Sequence, residues 1–142
     1  MNKRVVITGL GVVAPNGVGL DPFTYAIKNG VSGIKHDAEL ERLQFSCQIA
    51  GKPEVSTELA LQYFSELEMR NFNSSGILYG VIAGIDAWKD AGLPTEINEE
   101  PDWDSGTIFG TGTSGIDKFR ESIYKIDDFQ TRKLGSNGTV ST

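Results

Sequence analysis

Two glycine-rich turns are the segments of this 142-residue chain whose residue types and spacing could do chemistry. The first, GLGVVA at 9–14, fits the pattern G-x-G-x-x-A and follows an apolar run of β-branched residues. The second, GTGTSG at 110–115, fits G-x-G-x-x-G and follows another predicted strand. Such a turn can present backbone N–H groups to a pyrophosphate at the start of a helix, so both segments are candidates for dinucleotide binding.

The context of both turns disfavours that chemistry. A helix should begin inside the first motif, but Pro15, Asn16 and Gly17 interrupt it at once. No acidic residue closes a second strand about 20 residues further on, because Glu39 and Glu41 lie in a polar stretch. After the second motif too little chain follows for a strand–helix–strand unit. Glycines that only permit tight turns explain either motif taken alone.

The chain has one cysteine, Cys47, and one histidine, His36. A single cysteine forms no internal disulfide and has no second ligand at metal-binding spacing. A cysteine nucleophile also needs a base and a group that orients the base, so this pair is a weak basis for a catalytic dyad. The sequence predicts a small buried thiol at Cys47 and an exposed, non-catalytic histidine at His36.

Composition and charge exclude some classes of protein. Thirteen basic against nineteen acidic residues give a net charge of −6, which argues against nucleic-acid binding because that function needs a basic surface. No apolar run approaches the length of a membrane span. The basic N-terminus is followed by a short strand pattern rather than by the core of a signal peptide. We therefore expect a cytoplasmic protein.

Strands are predicted to alternate with helices along the chain. Short apolar or alternating runs predict three strands, at 4–9, 45–51 and 105–110. Helical spacing and capping residues predict four helices, at 21–29, 58–69, 73–91 and 116–126. This order implies a mostly parallel α/β sheet. A parallel sheet of only about three strands leaves its edges and apolar faces poorly covered. We therefore expect the chain to stop partway through a larger domain.

Details within the helices predict how they begin and pack. The first helix should begin with Asp21 as N-cap and Pro22 at its first position. The apolar stripe of the 73–91 helix consists of Ile77, Val81, Ile85 and Trp88. The same helix contains the small residues Ala83, Gly84 and Ala87, which predict that another element packs closely against it. The apolar face of the last helix consists of Ile116, Phe119, Ile123 and Ile126.

Five segments match, in order, the motifs of one enzyme family. The chain opens with VVITGLGVVAPNG at 5–17 and continues with GVSGI at 30–34. GILYGVIAG at 76–84 and AWKDAGL at 87–93 match a long buried helix and its end, and IFGTGTSG at 108–115 matches the next strand and turn. In these segments and their order, essentially the whole chain resembles the N-terminal part of the β-ketoacyl–acyl-carrier-protein synthases.

The resemblance implies a thiolase-like α/β fold, of which this chain would form the N-terminal half-domain. Such enzymes work as homodimers, or as heterodimers with a second synthase subunit, and they need no cofactor. They condense an acyl thioester with malonyl carrier protein in a decarboxylative Claisen reaction that uses a cysteine and histidines. Those residues lie beyond the matched segments, and Cys47 falls where the family has no nucleophile. The resemblance thus implies no catalytic residue in this chain.

The resemblance assigns a substrate-binding role to one turn. Gly112, Thr113 and Ser114 match the segment that lines the acyl pocket. Thr113 falls where related enzymes often carry an apolar residue that gates chain length. The alternative role for Thr113 or Ser114 is to cap the helix that begins at Ile116, and the sequence leaves both roles open.

The resemblance also implies that basic residues dock the acyl carrier protein. Arg132 and Lys133 match a basic pair that helps to dock this acidic partner in the family, although a solvated surface pair explains them equally well. A second basic patch should precede the long helix, but only Arg70 is positive there, and Glu66 and Glu68 would repel an acidic carrier. This departure favours a specialised polyketide or aryl-polyene type of pathway over housekeeping fatty-acid synthesis.

Two other interpretations stay open. A non-catalytic synthase homologue, such as the chain-length partner of a heterodimeric synthase, would keep the fold and lack the cysteine. A dinucleotide-binding α/β protein is a remote alternative, which saturable NAD binding at micromolar concentration would support.

Overall fold

A computed structural model of the chain describes residues 4–70, 72, 74–95, 100, 102–112 and 115–134. The strands in these ranges are β1 (Val13–Ala14), β2 (Gly17–Val18), β3 (Ile34–His36) and β4 (Ile49–Gly51). The helices are α1 (Leu20–Lys28), α2 (Ala38–Arg42), α3 (Thr57–Ala60), α4 (Glu66–Met69), α5 (Ser75–Asp90) and α6 (Ile116–Asp127), followed by a 3-10 helix (Thr131–Lys133).

The strands form two small antiparallel sheets. β1 pairs with β2, which places Val13 opposite Val18. β3 pairs with β4, which places Lys35 opposite Ala50 and His36 opposite Ile49. The described residues therefore do not form the mostly parallel sheet that the sequence predicts.

The predicted strands at 4–9 and 105–110 have no regular secondary structure. A strand is stable only when a neighbour accepts and donates its ladder hydrogen bonds, and neither segment has such a neighbour among the described residues. Their apolar side chains stay in solvent: Val5 is 93% exposed, Ile7 82% and Ile108 100%. The remaining predicted strand, at 45–51, is confirmed over its last three residues, which form β4.

Helix α5 confirms the helix predicted at 73–91. It begins after Ser74 and ends at Asp90, where Gly92 takes the positive φ of 69° that a glycine after a helix allows. Ile82 is its one completely buried side chain among the described residues, while Ile77 and Trp88 of the predicted stripe are partly exposed. The most buried position of α5 therefore lies beside the predicted stripe, next to Val81, and not on it.

Close packing on α5 instead involves its small residues, as the sequence predicts. The backbone at 9–11 crosses the helix so tightly that a Cβ on Gly9 would overlap the carbonyl oxygen of Ala87. A Cβ on Gly11 would overlap the carbonyl oxygen of Ala83. On another part of the helix, the ring of Phe109 lies against Gly84, 3.2 Å from where a Cβ would stand.

The other helices differ from prediction in their boundaries. The N-cap of α1 is Gly19 rather than Asp21, which lies in the first turn. The helix predicted at 58–69 is divided into α3 and α4, because Ser65 begins a new helix through a reciprocal capping box with Glu68. Helix α6 confirms the prediction for 116–126, but its apolar face is exposed, with Ile116 and Phe119 each more than half accessible.

Candidate functional site

The first glycine turn is occupied by the protein itself. The backbone N–H of Leu10, which a pyrophosphate would use, donates to Oδ2 of Asp90 at 2.9 Å. Gly9 and Gly11 face the backbone of α5 at contact distance. The Asp90 carboxylate would also repel a phosphate group. This turn therefore does not offer the anion site that its G-x-G-x-x-A pattern suggested, and its glycines serve packing.

The second glycine turn is open. Gly110 and Gly112 are exposed, and a Cβ added to either would meet no other described residue within 4 Å. The other two pocket residues implied by the resemblance, Thr113 and Ser114, lie outside the described residues. The N-cap of α6 is Gly115, with a φ of 78° and no side-chain cap. Gly115 thus holds the N-cap position in a left-handed conformation that glycine tolerates best, and the alternative capping role of Thr113 or Ser114 lies outside the described residues.

The basic residues implied in carrier docking lie in two surface segments. Arg132 is exposed in the 3-10 helix that follows α6, and the backbone of Lys133 belongs to the same helix. Arg70 is exposed at the C-cap of α4. In this chain, the side chains of Arg132 and Arg70 are thus exposed to solvent.

Helix α4 carries the two acidic residues beside Arg70. Glu66 and Glu68 are both exposed in its first turn. The carboxylate of Glu68 accepts two hydrogen bonds from Ser65, one from the backbone N–H and one from the side-chain hydroxyl, both at 2.8 Å. Both bonds lower the pKa of Glu68, and the bond from the backbone N–H has the larger effect. The carboxylate is therefore negatively charged at neutral pH. This four-residue helix therefore presents negative charge where the family's pattern expects positive charge.

Cys47 is exposed, so the prediction of a buried thiol is wrong. Cysteine is usually buried, but here it lies in the connection between α2 and β4, and its Sγ is 3.8 Å from the carbonyl oxygen of Ile49. His36 is exposed as predicted, in β3, with Nε2 3.5 Å from a carboxylate oxygen of Glu41. The two residues have different partners, and this geometry shows no catalytic dyad.

A groove of about 1050 Å³ runs along α5 between residues 8–9 and 106–109. On its wall, the Tyr63 hydroxyl donates to the Asp86 carboxylate, 3.0 Å from Oδ1. Burial, and then this bond, raise the pKa of Tyr63. Lys89 Nζ lies 5.1 Å from the centre of the Tyr63 ring. Sequence reasoning missed this cluster, because no local pattern connects Tyr63 to a partner 23 residues away.

The described ranges contain neither a membrane-spanning helix nor a cluster of metal ligands. Across residues 4–134, with the gaps given above, no helix combines the length and apolar character needed to cross a membrane. Nor do the described His, Cys, Asp and Glu side chains gather in a group of three or more that could hold a metal ion.

Comparison with known families identifies the family of the chain. The family model for the N-terminal domain of the β-ketoacyl synthases matches residues 2–140. The chain belongs to the β-ketoacyl synthase family. Membership confirms the resemblance seen in the sequence motifs and implies the thiolase-like fold. Together with the closed first glycine turn, it leaves no support for the dinucleotide-binding alternative.

The curated relatives that this chain matches are much longer than the chain itself. 3-Oxoacyl-[acyl-carrier-protein] synthase 2 of Vibrio cholerae is 35% identical over 140 residues, which are 99% of this chain and 33% of the relative. The synthase 2 of Vibrio harveyi is also 35% identical over 140 residues, 99% of this chain and 32% of the relative. A Streptomyces halstedii protein provisionally named polyketide beta-ketoacyl synthase 1 is 26% identical over 132 residues, 93% of this chain and 30% of the relative. The chain thus spans about a third of the length of these relatives.

Proposed function

We propose that this chain is the N-terminal part of a β-ketoacyl–acyl-carrier-protein synthase. The observation that supports it most strongly is the family match over residues 2–140, with the names of the Vibrio relatives. In the proposed reaction, a cysteine thiolate attacks the acyl thioester and releases the carrier thiol. Malonyl carrier protein then loses CO₂, its carbanion attacks the enzyme-bound acyl carbonyl, and the thiolate leaves. The nucleophile and the histidines are contributed by the rest of the protein.

This chain would be one part of a larger domain. The exposed apolar side chains support the proposal, since runs such as Val5 to Ile7, and Ile108 with Phe109, are costly to leave in water. The exposed apolar side chains of α6 support it in the same way. The complete protein would act in the cytoplasm as a homodimer, or as a heterodimer with a second synthase subunit.

The open glycine turn would line the acyl pocket. Gly112, Thr113 and Ser114 precede α6 in the sequence, and among the described residues nothing lies within 4 Å of a Cβ added to Gly112, which would leave room for an acyl chain to approach the backbone. A polar, β-branched Thr113 would change the shape and polarity of the pocket and, with them, the preferred acyl group.

The basic residues Arg132, Lys133 and Arg70 would dock the acyl carrier protein. The exposure of Arg132 and Arg70 supports this role. Glu66 and Glu68 oppose docking of a strongly acidic carrier. A specialised polyketide or aryl-polyene type of pathway, with a carrier of its own, therefore fits this surface better than housekeeping fatty-acid synthesis.

A second candidate is a non-catalytic synthase homologue that shapes the pocket of a partner subunit. The acidic first turn of α4 favours it, because a subunit that loads no carrier-bound substrate needs no basic docking patch. This protein would keep the fold and carry another residue in place of the cysteine.

Condensation by the complete protein tests the proposal. The complete protein is incubated with acyl carrier protein charged with acyl chains of several lengths and with malonyl carrier protein, and the β-ketoacyl product is measured by mass spectrometry. The proposal expects product with at least one chain length, and expects iodoacetamide to abolish it. A Cys47→Ser variant is the matched control, because exposed Cys47 would also be alkylated.

The control separates the outcomes. Cys47→Ser should keep full activity and full sensitivity to iodoacetamide. Activity lost in this variant would make Cys47 the nucleophile and contradict the proposed mechanism. A folded complete protein that forms no product with any chain length would support the non-catalytic homologue instead.

A further inference from the structure

We draw no further inference here: the strongest candidate, the exposed apolar face of α6 formed by Ile116, Phe119, Ile123 and Ile126, carries nothing because no feature of the described residues shows what covers it.

Discussion

Replacing Gly11 by alanine tests whether the first glycine turn is a packing element. In Gly11→Ala the new Cβ would overlap the carbonyl oxygen of Ala83 and lie 2.6 Å from the backbone nitrogen of Ala87. Both atoms belong to the backbone of α5, which cannot rotate away as a side chain can. Overpacking of this kind costs about 1–3 kcal/mol, and we expect the loss of unfolding free energy to reach the upper part of that range.

Gly112→Ala is the matched control. It makes the same chemical change in the other glycine turn, where a Cβ meets none of the described residues within 4 Å and the φ of Gly112 is not positive. We expect its unfolding free energy to change by no more than about 0.5 kcal/mol. Urea denaturation of the complete protein, followed by tryptophan fluorescence, measures both variants on the same scale. Trp88 is a suitable probe because it adjoins Ala87, which contacts the glycine segment.

The comparison also separates packing from ligand binding. If the turn held a pyrophosphate, Gly11→Ala would abolish saturable NAD binding and leave stability nearly unchanged. We expect no saturable NAD binding by the unaltered protein and a clear loss of stability in Gly11→Ala alone. Equal stability of the two variants would refute the packing argument.

Three further predictions concern charge and hydrogen bonding on the surface. Glu66→Lys should strengthen binding of an acidic carrier protein by about 2- to 10-fold, because it replaces repulsion with attraction at an exposed site; titration calorimetry at two salt concentrations should show the gain shrinking at high salt. Glu58→Lys, an equal charge change in α3, is the control, and the same gain in both variants would show a general charge effect rather than docking at α4. Lys118 and Lys125 lower the pKa of Glu121 to about 2 from 4.5, so its ion pairs should stabilise the fold fully above pH 4.5 and lose that effect as pH falls toward 2. Unfolding of Glu121→Gln should therefore differ from that of the unaltered protein at pH 6 and converge with it near pH 2, and a difference independent of pH would contradict this assignment. Tyr63→Phe removes the hydroxyl that donates to Asp86 and should cost about 1 kcal/mol of unfolding free energy; in Asp86→Asn the phenol should titrate at lower pH by ultraviolet absorbance, and an unchanged midpoint would count against the contact.

Structural elements that carry a periodic local pattern were predicted well from the sequence. Helices α5 and α6 were found because apolar or small residues recur over three or more turns. The small residues Ala83 and Ala87 also signalled a close backbone approach, which the structure assigns to Gly11 and Gly9. The family was recognised from short motifs whose order, more than any single motif, was specific.

Features that depend on a distant partner were not predicted. The patterns at 4–9 and 105–110 are typical of buried strands, yet a strand also needs a neighbour, and local sequence does not show which segment supplies it. Cys47 was expected to be buried from the average behaviour of its residue type, which its position in an exposed connection overrides. The pairing of Tyr63 with Asp86 likewise depends on how α5 meets the chain before α4.

Acyl transfer to the complete protein tests the central claim most directly. The Cys47→Ser variant of the complete protein is mixed with acylated carrier protein in the absence of malonyl carrier, and its intact mass is measured. A β-ketoacyl synthase should gain the mass of one acyl group per subunit. The acyl group should be attached to a cysteine outside this 142-residue sequence. A folded protein that gains no acyl group from carriers of any chain length would contradict the proposed activity.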